Sequence, residues 1–116
     1  MKNENVILEK TFYFAVKIVQ LCKQLRDEKK EYILTKQLMK AGTSIGANCE
    51  EGNSAQSRKD FLAKMSISLK EAKETRYWLR ILAETNFISK ENELFKEIDE
   101  IISILTRIIK STRSKS

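Results

Sequence analysis

AGTSIGANCEEGNSAQ, residues Ala41 to Gln56, holds all three glycines of the chain, Gly42, Gly46 and Gly52, while the remaining residues contain neither glycine nor proline. Main-chain punctuation is therefore confined to one stretch, and everything on either side reads as helix. Within it Ala41, Gly42, Ser44, Ile45, Gly46, Ala47 and Cys49 are small or apolar, and Gly42 and Gly46 lie four apart on one helical face. An interior glycine destabilises a helix by about 1 kcal/mol relative to alanine, so close approach of a neighbouring helix should offset two of them. Gly52 follows two glutamates and precedes the polar run Asn53-Ser54-Ala55-Gln56. That context predicts a left-handed residue ending the helix. Ser57, with Asp60 three residues on, then predicts a capped start for the next helix. A phosphate-cradling loop is the other use of such glycines, but those loops follow strands and no strand pattern precedes this one.

Working outward, 33% charged and 41% hydrophobic residues in a 116-residue chain without proline fit a single domain of packed helices and not a β-sandwich. Helix 1 is predicted over about Asn5 to Asp27, with Asn3 or Asn5 able to cap it. It carries two apolar lines, Leu8-Phe12-Ala15-Val19-Cys22 and Ile7-Phe14-Ile18-Leu21-Leu25. One line suffices for an intramolecular core, so the second, including Phe14 and Ile18, is assigned to a subunit interface. Helix 2, about Tyr32 to Glu51, is carried by Leu34, Leu38, Ala41 and Ile45, and near its end Asn48 either satisfies main-chain groups or joins Glu51 in a polar site. Helix 3, about Arg58 to Thr85 and the longest expected, sets Phe61, Met65, Ser68, Ala72 and Leu79 on a core line. Ile67, Trp78 and Ile81 lie well away from that line, joined by Tyr77 and by Glu71 and Glu74, and are expected at a subunit interface. Asn86 can end helix 3, and Ser89 with Glu91 can open helix 4, which runs to about Lys110 with Leu94, Ile98, Ile101, Leu105 and Ile108 inward. The fold expectation is an all-α, antiparallel up-and-down four-helix bundle over residues 1–110, with 111–116, STRSKS, a basic disordered tail.

Net charge +6 permits an anionic partner. Lys73, Arg76 and Arg80 form a basic edge on helix 3, and Lys36 and Lys40 a second on helix 2. Each reads either as a solvated, salt-linked surface or as a phosphate contact. The chain contains no histidine, which excludes Ser-His-Asp and Cys-His catalysis and any histidine-bearing zinc or di-iron centre. Neither Glu71 with Glu74 nor Glu50 with Glu51 makes a convincing site, so a non-catalytic protein without metal or cofactor is expected. Cys22 and Cys49 form no C-x-x-C pair and sit among apolar helical residues, as reduced, buried cysteines do. Charges at Glu4, Glu9, Lys10 and Lys17 break any secretory core, and no apolar run reaches the length of a membrane span. A cytoplasmic location is the expectation.

QLMKAGTSIGANCEEGNSAQS and FLAKMSISLKEAKETRYWLRILAETNFI together resemble the small bacterial family of 23S rRNA intervening-sequence, or S23-type, proteins. The resemblance covers Gln37 to Ile88 and rests on two separated motifs in the family's order. It implies an antiparallel four-helix bundle assembling as a ring-like homopentamer, from a family with members encoded within rRNA intervening sequences. Related accessory proteins of diversity-generating retroelements are basic pentamers that bind a reverse transcriptase and nucleic acid. Ala41, Ser44, Ile45, Asn48 and Gly52 match the family's helix 2 motif, and Phe61, Glu74 and Leu79 its helix 3; these look structural. The retroelement branch is more strongly basic than this chain, whose helix 4 bears Glu93, Glu97, Asp99 and Glu100. The implied function is an oligomeric RNA- or ribonucleoprotein-binding adaptor, the alternative a protein-interaction scaffold that binds no nucleic acid.

Overall fold

The computed structural model of the chain describes residues 2–115, and side chains from residue 6 onward. Four helices follow one another, α1 (Lys2–Lys29), α2 (Ile33–Asn53), α3 (Arg58–Glu84) and α4 (Glu93–Ser114). Cross-helix contacts fix their directions. Cys22 Sγ lies 3.5 Å from the Thr35 carbonyl, and Thr11 abuts Gly46, so α1 and α2 run antiparallel. Ser68 Oγ donates to the Ile45 carbonyl at 2.8 Å, while Met65 abuts Gly52, which reverses α3 against α2. Arg58 reaches the Lys115 carbonyl and Arg76 reaches Asp99, and Lys10 and Lys17 pair with Glu100 and Glu97. The four helices thus form a closed ring in which the backbone of α1 lies against α2 and α4 and that of α3 against the same two, the diagonal pairs meeting only through side chains in the core. This is the predicted up-and-down bundle, 48 × 22 × 19 Å.

Each corner helix buries a wide arc because it has two neighbours. On α1 that arc is Ile7, Thr11, Phe14, Ile18, Cys22 and Leu25, which meets Leu38, Ile45, Met65, Leu79, Ile98, Ile101 and Leu105 in one core. Phe14 and Ile18 are therefore core residues, 0% exposed in the single chain, and not the subunit interface expected of them. The expectation failed because a one-neighbour helix was assumed. A bundle corner faces inward over both sides, and the line through Phe12 is the shallower one, exposed at Phe12, half-buried at Leu8, Ala15 and Val19, and back in the core at Cys22.

The glycine stretch is close-packed, as its spacing predicts. A Cβ on Gly42 would stand 2.9 Å from Ile18 Cγ2, and one on Gly46 would stand 3.2 Å from Thr11 Oγ1 and 3.3 Å from the Thr11 carbonyl oxygen. Both glycines let α1 lie against α2. Gly52 differs from its prediction. It is not left-handed, α2 continues to Asn53 and closes at Ser54, and a Cβ would meet Met65 Cε at 2.8 Å. Its small size serves the crossing of α2 over α3 and not a reversal of the chain.

The left-handed residues are Lys30 (φ 55°) and Asn86 (φ 68°). Asn86 ends α3 as expected: its N–H meets the Ala83 carbonyl and the Phe87 N–H meets that of Leu82 at 2.8 Å, satisfying two orphan carbonyls. After Lys30, the Glu31 carboxylate accepts from the N–H groups of Ile33, Leu34 and Thr35 at 3.1, 3.0 and 2.8 Å and opens α2. Ser57 Oγ accepts from Asp60 N–H at 3.0 Å, the predicted cap, while α4 is capped by Asn92 from Leu94 N–H at 2.9 Å and not by Ser89, whose hydroxyl takes the Glu91 N–H in the turn before the helix. The side chains of Asn3 and Asn5 lie outside the described residues. At 28 residues α1 slightly exceeds the 27 of α3. Helix α4 runs through Ser114, so most of the segment expected as a tail is helical, held by Thr112 and Ser114 hydroxyls on carbonyls four residues back. Ser116 lies outside the described residues.

Candidate nucleic-acid interface and apolar faces

Helix periodicity puts Lys73, Arg76 and Arg80 on one flank of α3, and the 2.7 Å bond from Arg76 Nε to Asp99 Oδ1 shows that this flank borders α4. Arg76 is thereby tied to an acid, whereas Lys73 and Arg80 stay exposed and outside ion pairs among the described residues. Lys36 and Lys40 are likewise exposed and outside such pairs. They stand on α2, whose backbone lies diagonally across the bundle from that of α4. The bundle thus does not merge the two basic groups into one patch.

The acids of α4 have internal work. Glu93 and Glu97 receive Lys17 Nζ at 3.3 and 2.7 Å, Glu100 pairs with Lys10 at 3.9 Å, and Asp99 holds Arg76. The Glu97 hydrogen bond, set against partial burial and joined by Glu93, holds the Lys17 ammonium above its ordinary value of 10.5. These carboxylates stitch α4 to α1 and α3, and their charge is spent against cations of the bundle. Glu51 pairs with Lys64 at 2.7 Å, and Asn48 Nδ2 donates to the Ser44 carbonyl at 2.8 Å, so the two make no shared polar site.

The apolar faces left outside are on α1 and α3. On α1, Phe12 and Tyr13 are 57% and 58% exposed, flanked by exposed Val6 and Val16. Phe12 was placed on an apolar line, but Val6, Tyr13 and Val16 were missed, and the signal available was their i, i+7, i+10 recurrence opposite the core. On α3, Ile67 is exposed, Ile81 is half-buried, and Trp78 is half-buried with its indole N–H donated to Glu74 at 3.1 Å. Tyr77 stands beside Trp78, centroids 5.3 Å apart and planes at 70°. Of the expected interface residues, Ile67, Trp78 and Ile81 share the outer side of α3, away from Phe14 and Ile18.

Ala41, Ile45, Leu79 and the glycines are buried, while Phe61 packs half-buried beside Gly52. Ser44 Oγ donates to the Lys40 carbonyl at 2.7 Å, so the helix 2 motif satisfies itself locally. Burial pushes the Cys22 thiol up to about 11 and raises that of Cys49, which faces Ser68 Oγ at 3.2 Å. Both are free thiols. Among the described residues no buried side-chain nitrogen or oxygen lacks a hydrogen-bond partner, no trio of Cys, Asp and Glu gathers as metal ligands, and no helix is long and apolar enough to cross a membrane.

The profile of the 23S rRNA-intervening sequence protein matches residues 3–107, which include most of all four helices. The chain belongs to that family. A crystal structure of a protein of unknown function from the S23 ribosomal protein family of Bacteroides thetaiotaomicron VPI-5482 is 46% identical, with a TM-score of 0.91 over 93% of this chain and 98% of that one. Among curated proteins none matches. Family membership accounts for the bundle, and the matched span stops before the last turns of α4.

Proposed function

We propose that this intervening-sequence family protein is a non-catalytic, oligomeric adaptor that binds RNA or a ribonucleoprotein through exposed cations. The observation that carries the reading is electrostatic. The chain's net charge is +6, and α4's acids are consumed by Lys10, Lys17 and Arg76, while Lys36, Lys40, Lys73 and Arg80 point to solvent without an acid partner among the described residues. Uncompensated surface cations attract a polyanion and release its counterions. A family named for a 23S rRNA intervening sequence directs the choice of polyanion to RNA.

Self-association is supported by the apolar faces. The chain exposes 7241 Å², against about 6500 Å² for a compact monomer of this mass. Exposed apolar residues lie on α1 around Phe12 and, ten residues before Tyr77, at Ile67 on α3, helices that are diagonally opposed in the bundle. Two different patches on opposite sides fit head-to-tail contact between copies, which closes into a ring when the rotation permits. The homopentamer implied by the family resemblance is such a ring. It would repeat each chain's two separate basic groups around its circumference.

Fluorescence anisotropy with labelled 23S rRNA fragments tests the reading. Binding should fall steeply with salt, and combined Lys36→Ala, Lys40→Ala, Lys73→Ala and Arg80→Ala should weaken it and flatten the log–log salt slope by about 3. Unchanged affinity in that variant would remove the basic groups from the account. The exposed aromatics Phe12, Tyr13 and Tyr77 favour a second reading, a protein-interaction scaffold, for which Trp78→Glu should release a co-purifying protein at unchanged helicity.

A further inference from the structure

On the outer surface of α3 a shallow hollow of about 280 Å³ is lined by Tyr77, Arg80, Ile81, Glu84 and Thr85. Its wall is mostly apolar carbon. Tyr77 is half-exposed, and its ring is steadied by the edge-to-face contact with Trp78, whose own indole is anchored on Glu74. Helical spacing sets Lys73 four residues before Tyr77 and Arg80 three after it, one cation on each side along the helix axis. Neither pairs with an acid among the described residues, and Glu84, the acid in the wall, meets Lys90 at 3.3 Å. Glu74, the other nearby carboxylate, accepts from Trp78.

An aromatic face with cations on both sides along one axis suits a particular geometry of anion. A planar ring can lie on Tyr77 while phosphates before and after it meet Lys73 and Arg80. A duplex keeps its bases stacked inside and cannot offer that arrangement, whereas a looped or single-stranded segment can. We propose that this hollow docks an unpaired RNA nucleotide, its base stacked on Tyr77 and its flanking phosphates neutralised by Lys73 and Arg80. The inference rests on the RNA-binding reading above and sharpens it, because it selects single-stranded over duplex RNA.

The test uses the full chain, a single-stranded RNA carrying 2-aminopurine, and a blunt duplex of the same length. Tyr77→Leu keeps the apolar bulk without the ring, and Tyr77→Phe keeps the ring. Tyr77→Leu should weaken single-strand binding by on the order of tenfold and abolish stacking-dependent quenching of 2-aminopurine, Tyr77→Phe should retain both, and duplex binding should be the same in all three proteins. Equal single-strand affinity and quenching in Tyr77→Leu and the unaltered chain would overturn the nucleotide site while leaving the cations as an RNA surface. Equal loss of single-strand and duplex binding in Tyr77→Leu would overturn it too, as a general disturbance of the surface. Failure of the unaltered chain to bind either RNA at low salt would overturn the adaptor reading and this inference together.

Discussion

Replacing each glycine of the organising stretch by alanine should produce three different outcomes. In a helix interior the exchange contributes about 1 kcal/mol of stability by propensity alone. Against that stands the space each new methyl meets. At Gly42 it would stand 2.9 and 3.0 Å from the two γ carbons of Ile18, a fully buried, β-branched side chain with one strongly preferred helical rotamer. Neither carbon can swing aside, so the upper end of the overpacking range applies, about 3 kcal/mol, for a net loss of about 2. With an unfolding entropy of about 2.1 cal/mol/K per residue, that is a fall in Tm of about 8 °C. Gly46→Ala meets Thr11 Oγ1 at 3.2 Å and its carbonyl oxygen at 3.3 Å, and the hydroxyl is already donated to Ile7 at 2.7 Å. The contact is milder but involves main chain, and a net loss of about 1 kcal/mol is expected. Gly52→Ala meets mainly the terminal methyl of Met65, which can turn away, so stability should be unchanged or up to about 1 kcal/mol higher. Thermal melts followed by circular dichroism, at one fixed protein concentration, read all three. Equal stabilisation of about 1 kcal/mol in each variant would mean that the helices do not approach at these glycines.

Cys22 and Cys49 should resist a thiol reagent at neutral pH in the native chain and react at once in denaturant, because burial raises both thiols, Cys22 to about 11; fast native labelling would place them at the surface. Glu31 is held below its ordinary value of 4.5: burial acts against this, but the N–H groups of Leu34, Thr35 and Ile33 outweigh it. A lowered carboxylate contributes stability above the unfolded value and loses it as pH falls through the folded one, so Glu31→Gln should narrow the stability difference between neutral and acid pH below about 4.5. Parallel pH–stability curves for the two proteins would contradict that role. Lys17 is the opposite case: its raised ammonium supports folding below 10.5 and loses that support as pH rises beyond it, so Lys17→Met should lessen the loss of stability in strong alkali.

The bundle was legible because its signals are local. Unbroken apolar periodicity around one glycine cluster specifies helices, and Ser57 and Asn86 announce where two of them start and stop. The spacing of Gly42 and Gly46 announced a close neighbour but not that the neighbour was α1. Gly52 was misread because a glycine before a polar run looks the same whether it turns the chain or admits Met65 from the next helix. Phe14 and Ile18 were assigned outward for a related reason, since the width of an inward arc depends on how many helices surround it. The Glu31 cap escaped notice because it needs the bend at Lys30. At the surface the limits were sharper. Lys73 and Arg80 were correctly taken as exposed cations, yet Arg76 cannot be told from them until Asp99, on another helix, is brought alongside. Tyr77 was noticed on α3's outer side, but its place between two cations at a hollow emerges only in three dimensions.

Light scattering of the purified chain, recorded with absorbance at 260 and 280 nm, bears most directly on the adaptor reading. A particle several times 13.5 kDa that carries co-purified RNA, shed at high salt, is the predicted result. A monomer of 13.5 kDa free of nucleic acid at low salt would contradict both the assembly and the RNA-binding surface built on it.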